Sequence, residues 1–184
     1  MVLSNPMHIA TNSSKIDISL EVKTAELAKK FSKILKKGDV VFFYGEIGVG
    51  KTTFIRHLIN DFQKTNHLNL TEVTSPTFNL VNEYDVGVFK IQHYDLYRLA
   101  GNDEIKNIGL LENQKEIITL IEWPEKIDNK VDNKISLIFE YNQDMDKRFL
   151  SLKVSMHCQK PWCLKAVNSL ILDNFSNGSL SSII

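Results

Sequence analysis

Apolar and polar positions alternate from Ile16 to Val22, with Ile16, Ile18, Leu20 and Val22 set against Asp17, Ser19 and Glu21. A period of two predicts a strand with one covered face. The period then lengthens: Leu27, Ala28, Phe31, Ile34 and Leu35 form the buried stripe of a helix, with Thr24 as its cap, Glu26 in its first turn, lysines in its last and Gly38 at its end. Val40-Val41-Phe42-Phe43-Tyr44 is an unbroken β-branched and aromatic run, the pattern of a strand buried on both faces. Past Thr52, the residues Phe54, Ile55, Leu58, Ile59 and Phe62 recur at helical spacing, and the polar stretch from Gln63 to Asn69 predicts a surface connection.

Further along, Asn79 to Tyr84 and a second run holding Phe89, Ile91, His93 and Asp95 flank the turn signal Asp85-Val86-Gly87, which predicts an antiparallel hairpin. Asp103 to Gln114, with Ile105, Ile108, Leu110 and Leu111 interrupted by Gly109, fits one or two short helices. Ile117-Ile118-Thr119-Leu120-Ile121 is the most apolar short run and predicts a central parallel strand. Lys134 to Tyr141 and Arg148 to Val154 are two more strands, joined around Asp144-Met145-Asp146 as a hairpin at the sheet edge. Trp162 to Leu172 has partial helical periodicity and runs out into Ser, Asn and Gly.

Composition narrows the picture. At 184 residues the chain fits one domain with one substantial core. Lys plus Arg equals Asp plus Glu at 22 each, so no overall basic field marks a nucleic-acid binder. Cys158 and Cys163 beside His157 are too few for a metal site and form no disulfide framework. No apolar run reaches the length of a membrane span, and Met1 to Leu20 is too polar for a secretory signal, so a cytoplasmic protein is expected. The Ser- and Asn-rich lead up to Lys15 is expected to be poorly ordered, with Met7 as an alternative start.

The chemistry centres on Gly45-Glu46-Ile47-Gly48-Val49-Gly50-Lys51-Thr52, which fits the spacing Gly, four residues, Gly-Lys-Ser/Thr. Glycines let the backbone curl so that successive N–H groups face one concavity, and the following helix adds its unpaired N–H groups and positive dipole end. Lys51 then reaches the β- and γ-phosphates of a nucleotide, and the Thr52 hydroxyl can ligate the Mg²⁺ that bridges them. A strand before the loop and a helix after it are the context this motif requires. The fold class that follows is α/β, a three-layer P-loop NTPase fold whose mixed sheet has a parallel core and antiparallel edge strands.

Two carboxylates compete for the metal. Glu122 ends the apolar strand, where phosphate-loop proteins hold Mg²⁺ or orient water. Asp95 ends another strand, on the same face as His93. The His93 and Asp95 pair reads either as surface decoration or as part of a shared metal-phosphate site. Thr74-Ser75-Pro76-Thr77-Phe78 reads equally as a plain turn or as a hydroxyl-bearing sensor of the γ-phosphate, because Pro76 restrains the loop that carries Ser75 and Thr77.

Together with Ser75-Pro76-Thr77-Phe78, His93-Tyr94-Asp95-Leu96-Tyr97-Arg98-Leu99 and Ile121-Glu122-Trp123-Pro124-Glu125, the glycine loop resembles the ordered signature of the TsaE (YjeE) ATPases, over about Ile16 to Val154. The resemblance implies an ATPase that acts with TsaB and TsaD in bacterial synthesis of threonylcarbamoyladenosine beside the tRNA anticodon. There, transfer to tRNA belongs to the TsaD partner and ATP hydrolysis resets the complex. It implies ATP and Mg²⁺ as cofactors, tRNA reached only through the complex, and neither membrane nor DNA as a partner. Carried onto this chain, it makes Gly45 to Thr52 and Thr53 nucleotide contacts, with Lys51 on the phosphates and Thr52 and Glu122 on the metal. Asp95 becomes a nucleotide-site carboxylate, Thr77 part of a switch-like loop, and Arg148 or Lys147 a basic residue by the base. Where the family usually carries Asp-Leu-Gly-Ala, this chain has Glu46-Ile47-Gly48-Val49, with the spacing kept. Residues 1–15 are then a leading segment, 16–160 the ATPase domain and 161–184 a tail with no assigned role.

Rival readings are a small GTPase, a small-molecule kinase and a nucleotide-gated binding module without turnover. Asn129-Lys130-Val131-Asp132 matches the guanine-reading pattern but follows no apolar strand. A kinase lid needs clustered arginines, and Arg56, Arg98 and Arg148 are scattered.

Overall fold

The computed structural model describes residues 15–100, 102–112, 114–127, 131 and 134–154. Strands β1 (Ile16–Asp17), β2 (Val40–Tyr44), β3 (Val81–Asp85), β4 (Lys90–Asp95), β5 (Ile117–Glu122), β6 (Lys134–Tyr141) and β7 (Arg148–Val154) form one sheet in the order β1-β7-β6-β2-β5-β4-β3. The inner strands β6, β2, β5 and β4 run parallel, while β3 pairs antiparallel with β4 at one side and β7 and β1 pair antiparallel at the other. That is the expected mixed sheet with a parallel core. The hairpin of β6 and β7 is not itself the edge, because β1 caps β7 through Ile16 and Asp17.

Helices α1 (Glu21–Ser32) and α2 (Lys51–Thr65) cover one face, and the short α3 (Asn102–Asn107) with its flanking loops covers the other. Alternation along the strands feeds both layers. In β2, Val41 and Phe43 join Leu27, Phe31, Phe54 and Leu58 of the helices, while Val40 and Phe42 join Tyr94, Leu96 and Ile105 on the opposite side. All six residues of β5 are buried, as an apolar central strand demands.

Three further expectations needed correction. The strand expected over Ile16 to Val22 stops at Asp17, whose carboxylate accepts the Ser19 N–H at 2.9 Å and turns the chain, so that α1 begins at Glu21. Thr24 therefore does not cap the helix; it lies inside, buried, and donates to the Ile18 carbonyl at 3.3 Å. Gln63 is no surface residue but sits in the last turns of α2, where its amide donates to Thr71 Oγ1 and the Asp85 carbonyl and accepts the Thr71 N–H. The expectations for residues 1–14, Cys158, Cys163, the tail, and Asn129, Lys130 and Asp132 fall outside the described residues.

Candidate functional site

The glycine loop leaves β2 through a position that admits no side chain. Gly45 has φ +134°, and a Cβ there would stand 2.5 Å from the Phe139 carbonyl oxygen of β6. Gly50, at φ +109°, is the left-handed residue from which α2 starts. The first turn of α2 has neither a capping side chain nor an acidic residue, so its N–H end is left to attract an anion. Val49 anchors the loop by burying its side chain in the core, whereas Glu46 and Ile47 point outward.

Lys51 is buried. Its ammonium donates to the Gly45 carbonyl at 2.6 Å and the Glu46 carbonyl at 3.0 Å, and lies 4.2 Å from the centre of the Trp123 ring. Burial holds it below the ordinary lysine value, against the opposing attraction of Glu122, Asp95 and Glu125. Trp123 itself has φ +59°, uncommon for a bulky residue, and its ring packs on Tyr97 with centroids 4.8 Å apart.

Both carboxylates reach the same place. In the parallel pair of β4 and β5, Asp95 is opposite Glu122, and the two residues end their strands facing the start of α2. Glu122 Oε1 accepts from Thr52 Oγ1 at 2.7 Å and from His93 Nε2 at 3.0 Å. Asp95 accepts through Oδ2 from Ser75 at 2.5 Å and Thr77 at 2.6 Å, and through Oδ1 from the Tyr97 N–H at 3.0 Å. The loop read as a plain turn or a sensor is thus tied by two hydroxyls to one of the site carboxylates. The structure also separates the two acids: Glu122 is coupled to the glycine loop and Asp95 to the hydroxyl loop.

These groups enclose a cleft of about 250 Å³ lined by Ile47, Gly48, Gly50, Lys51, Thr52, Thr53, Ser75, Asp95, Tyr97, Glu122 and Trp123. Thr77 joins through Asp95. Arg148 is not among the lining residues; its guanidinium donates to the Ser19 carbonyl at 2.8 Å and approaches to 3.8 Å from where a Cβ on Gly50 would be. The roles of Tyr97 and Trp123 are not legible in the sequence, since nothing local signals that a left-handed Trp will turn its ring over a lysine. The His93 and Asp95 pair is not surface decoration, because both residues are buried.

Among the described residues, no group of three or more His, Cys, Asp or Glu could hold a metal ion unaided. Mg²⁺ is usually held by one or two carboxylates together with phosphates and waters. Two adjacent carboxylates and a hydroxyl beside an open helix N-terminus fit that pattern of a shared cation and phosphate chain.

A parallel-cored sheet with a glycine loop between β2 and α2, and acids at the ends of the neighbouring strands, defines a P-loop protein. Bacillus subtilus YdiB has the same fold in its crystal structure, with a TM-score of 0.67 over 89% of this chain and 99% of that one, at 22% identity. The chain belongs to the TsaE family: the model described as "Threonylcarbamoyl adenosine biosynthesis protein TsaE" matches residues 18–150. The tRNA threonylcarbamoyladenosine biosynthesis protein TsaE of Rickettsia bellii is 37% identical over 140 residues, covering 76% of this chain and 94% of the relative. The protein of the same name from Aquifex aeolicus is 36% identical over 112 residues, covering 61% of this chain and 77% of the relative. Among the described residues no helix is long and apolar enough to cross a membrane.

Proposed function

We propose that this protein binds and hydrolyses ATP with Mg²⁺, and that it does so in the cytoplasm as the ATPase of the threonylcarbamoyladenosine machinery, acting with TsaB and TsaD. The observation that carries the reading is the hydrogen bond between Thr52 and Glu122, which joins the first turn of α2 to the end of β5 across 70 positions of sequence. It is the coupling a phosphate loop needs to share one cation between loop and strand.

Each residue then has a defined task. Amides of the loop and of the first turn of α2 receive the phosphate chain. Lys51 exchanges the carbonyl oxygens of Gly45 and Glu46 for β- and γ-phosphate oxygens, gaining a charge-assisted bond in place of neutral ones. Thr52, Glu122 and Asp95 are the residues that would hold Mg²⁺. Bound there, the ion would neutralise charge that builds on the transferred phosphoryl group. Trp123 and Tyr97 wall the cleft and limit water around Lys51. Ser75 and Thr77 report on the carboxylate they touch, so that filling the site changes the loop they belong to. Contact with tRNA comes only through the partners.

Calorimetry with ATP, with and without Mg²⁺, tests the binding half of this reading, and heat should appear and strengthen with the cation. ATPase rates alone and with TsaB and TsaD, with tRNA present or left out, test the rest. Strong stimulation by the partners is expected. Phosphorylation of a metabolite, or binding with no turnover under any condition, would overturn it.

A further inference from the structure

His93 is fully buried on β4, two residues before Asp95 and on the same face, toward α2. Its register partner on β5 is Leu120, so Glu122 lies one step further along that same face. The His93 Nε2 to Glu122 Oε1 distance is 3.0 Å; the His93 side chain has no solvent contact, and Glu122 keeps only the edge that lines the cleft. An ionised carboxylate only accepts hydrogen bonds, and the Thr52 hydroxyl also converges on Oε1. Nε2 must therefore carry the proton in this bond. Nδ1 is buried and has no hydrogen-bond partner among the described residues.

An imidazole in this setting is a poor choice for packing alone. Its neighbours on the strand face and in register, Ile91 and Leu120, belong to the apolar core, where an aliphatic side chain would leave no nitrogen unpaired. What the ring contributes is the second donor to Glu122. With Thr52 alone, a glutamate with three side-chain torsions would keep rotational freedom about that one bond. Two donors from different elements remove it.

We infer that His93 is a positioning residue: its Nε2–H fixes the Glu122 carboxylate and thereby aligns Thr52 and Glu122 for the cation. The inference rests on the proposed Mg²⁺ and ATP reading of the site. Partners of this kind, standing behind the groups that touch a metal, typically set its affinity about 10–100-fold.

The test uses the full chain and calorimetry with ATP, once in EDTA and once across a Mg²⁺ series. Asparagine at this position cannot reach Glu122 as Nε2 does, whereas the amide nitrogen of glutamine can. His93→Asn should raise the Mg²⁺ needed for half its effect by about 10–100-fold, while ATP affinity in EDTA stays within about twofold. His93→Gln should remain within about threefold of the unsubstituted protein on both measures. His93→Leu fills the space without a donor and should behave as His93→Asn does, which keeps the test open should the smaller side chain unfold the protein. In a Glu122→Gln background His93→Asn should add no further loss, because the two act through one group. Equal shifts for the Asn and Gln variants, parallel losses in EDTA and in Mg²⁺, or additive losses in the double variant would each overturn the inference. An unsubstituted protein whose ATP binding ignores Mg²⁺ would instead overturn the proposed function itself. A normal Mg²⁺ response that His93→Asn leaves unmoved overturns only the role of His93.

Discussion

Lys51 shows what the site has to do before it can hold a ligand. The ammonium is buried against two backbone carbonyls and the Trp123 ring, and burial works against its charge. Under the proposed function, a phosphate chain would offer it stronger acceptors in the same cradle. Hydrogen bonds to charged groups contribute about 1.5–3 kcal/mol each, so Lys51→Ala should weaken ATP binding by about 10–100-fold in calorimetry. The same substitution removes a buried charge, so the melting temperature followed by circular dichroism should not fall. A variant that binds ATP normally would deny Lys51 its role. The loop was legible at this scale because its eight positions, Gly45 to Thr52, are consecutive, and glycine spacing dictates backbone shape without help from distant residues. Glu122 was legible as a candidate because an apolar strand ended in it. Its coupling to Thr52 and His93 was not, since those bonds span 70 and 29 positions.

Among the elements, α2 does two tasks, presenting Lys51 and Thr52 at one end and tying the hairpin at the other. Its apolar stripe read true from sequence, as did the bounds of β6 and β7, because each keeps one period throughout. The entry to α1 did not, because alternation from Ile16 to Val22 satisfies a strand pattern until a side-chain bond from Asp17 turns the chain. Gln63 was misread for a similar reason: polarity suggests solvent, yet a buried amide is stable where the backbone supplies partners. Gln63→Ala would leave the Thr71 N–H and the Asp85 carbonyl short of a partner. Stability should drop by about 1–3 kcal/mol, measured by urea unfolding. A change below the error of that measurement would mean that water replaces the amide freely.

For the molecule as a whole, the decisive feature is that β5 lies between β2 and β4, with helices packed on the face where the site opens. Phe54 of α2 meets Phe31 of α1, Phe43 of β2 and Phe139 of β6, with ring centroids 5.8, 6.0 and 5.9 Å away. Phe54→Ala empties the point where both helices join the sheet and should cost about 3–5 kcal/mol. Against a usual total of about 5–15 kcal/mol, that should appear as one cooperative unfolding transition at a clearly lower urea midpoint. Retention of the original midpoint would show that the aromatic cluster does not hold the layers together. By itself the amino-acid sequence determined the glycine loop, the apolar runs and the type of sheet, and its ordered blocks pointed to the TsaE family. Those features are set by neighbours within a turn or a strand. Only the tertiary structure decided that Glu122 would answer to Thr52 and His93, that Asp95 would hold Ser75 and Thr77, and that Trp123 would cover Lys51. Such meetings depend on strand order and register, which arise from many weak pairings between distant segments, and no local pattern encodes them.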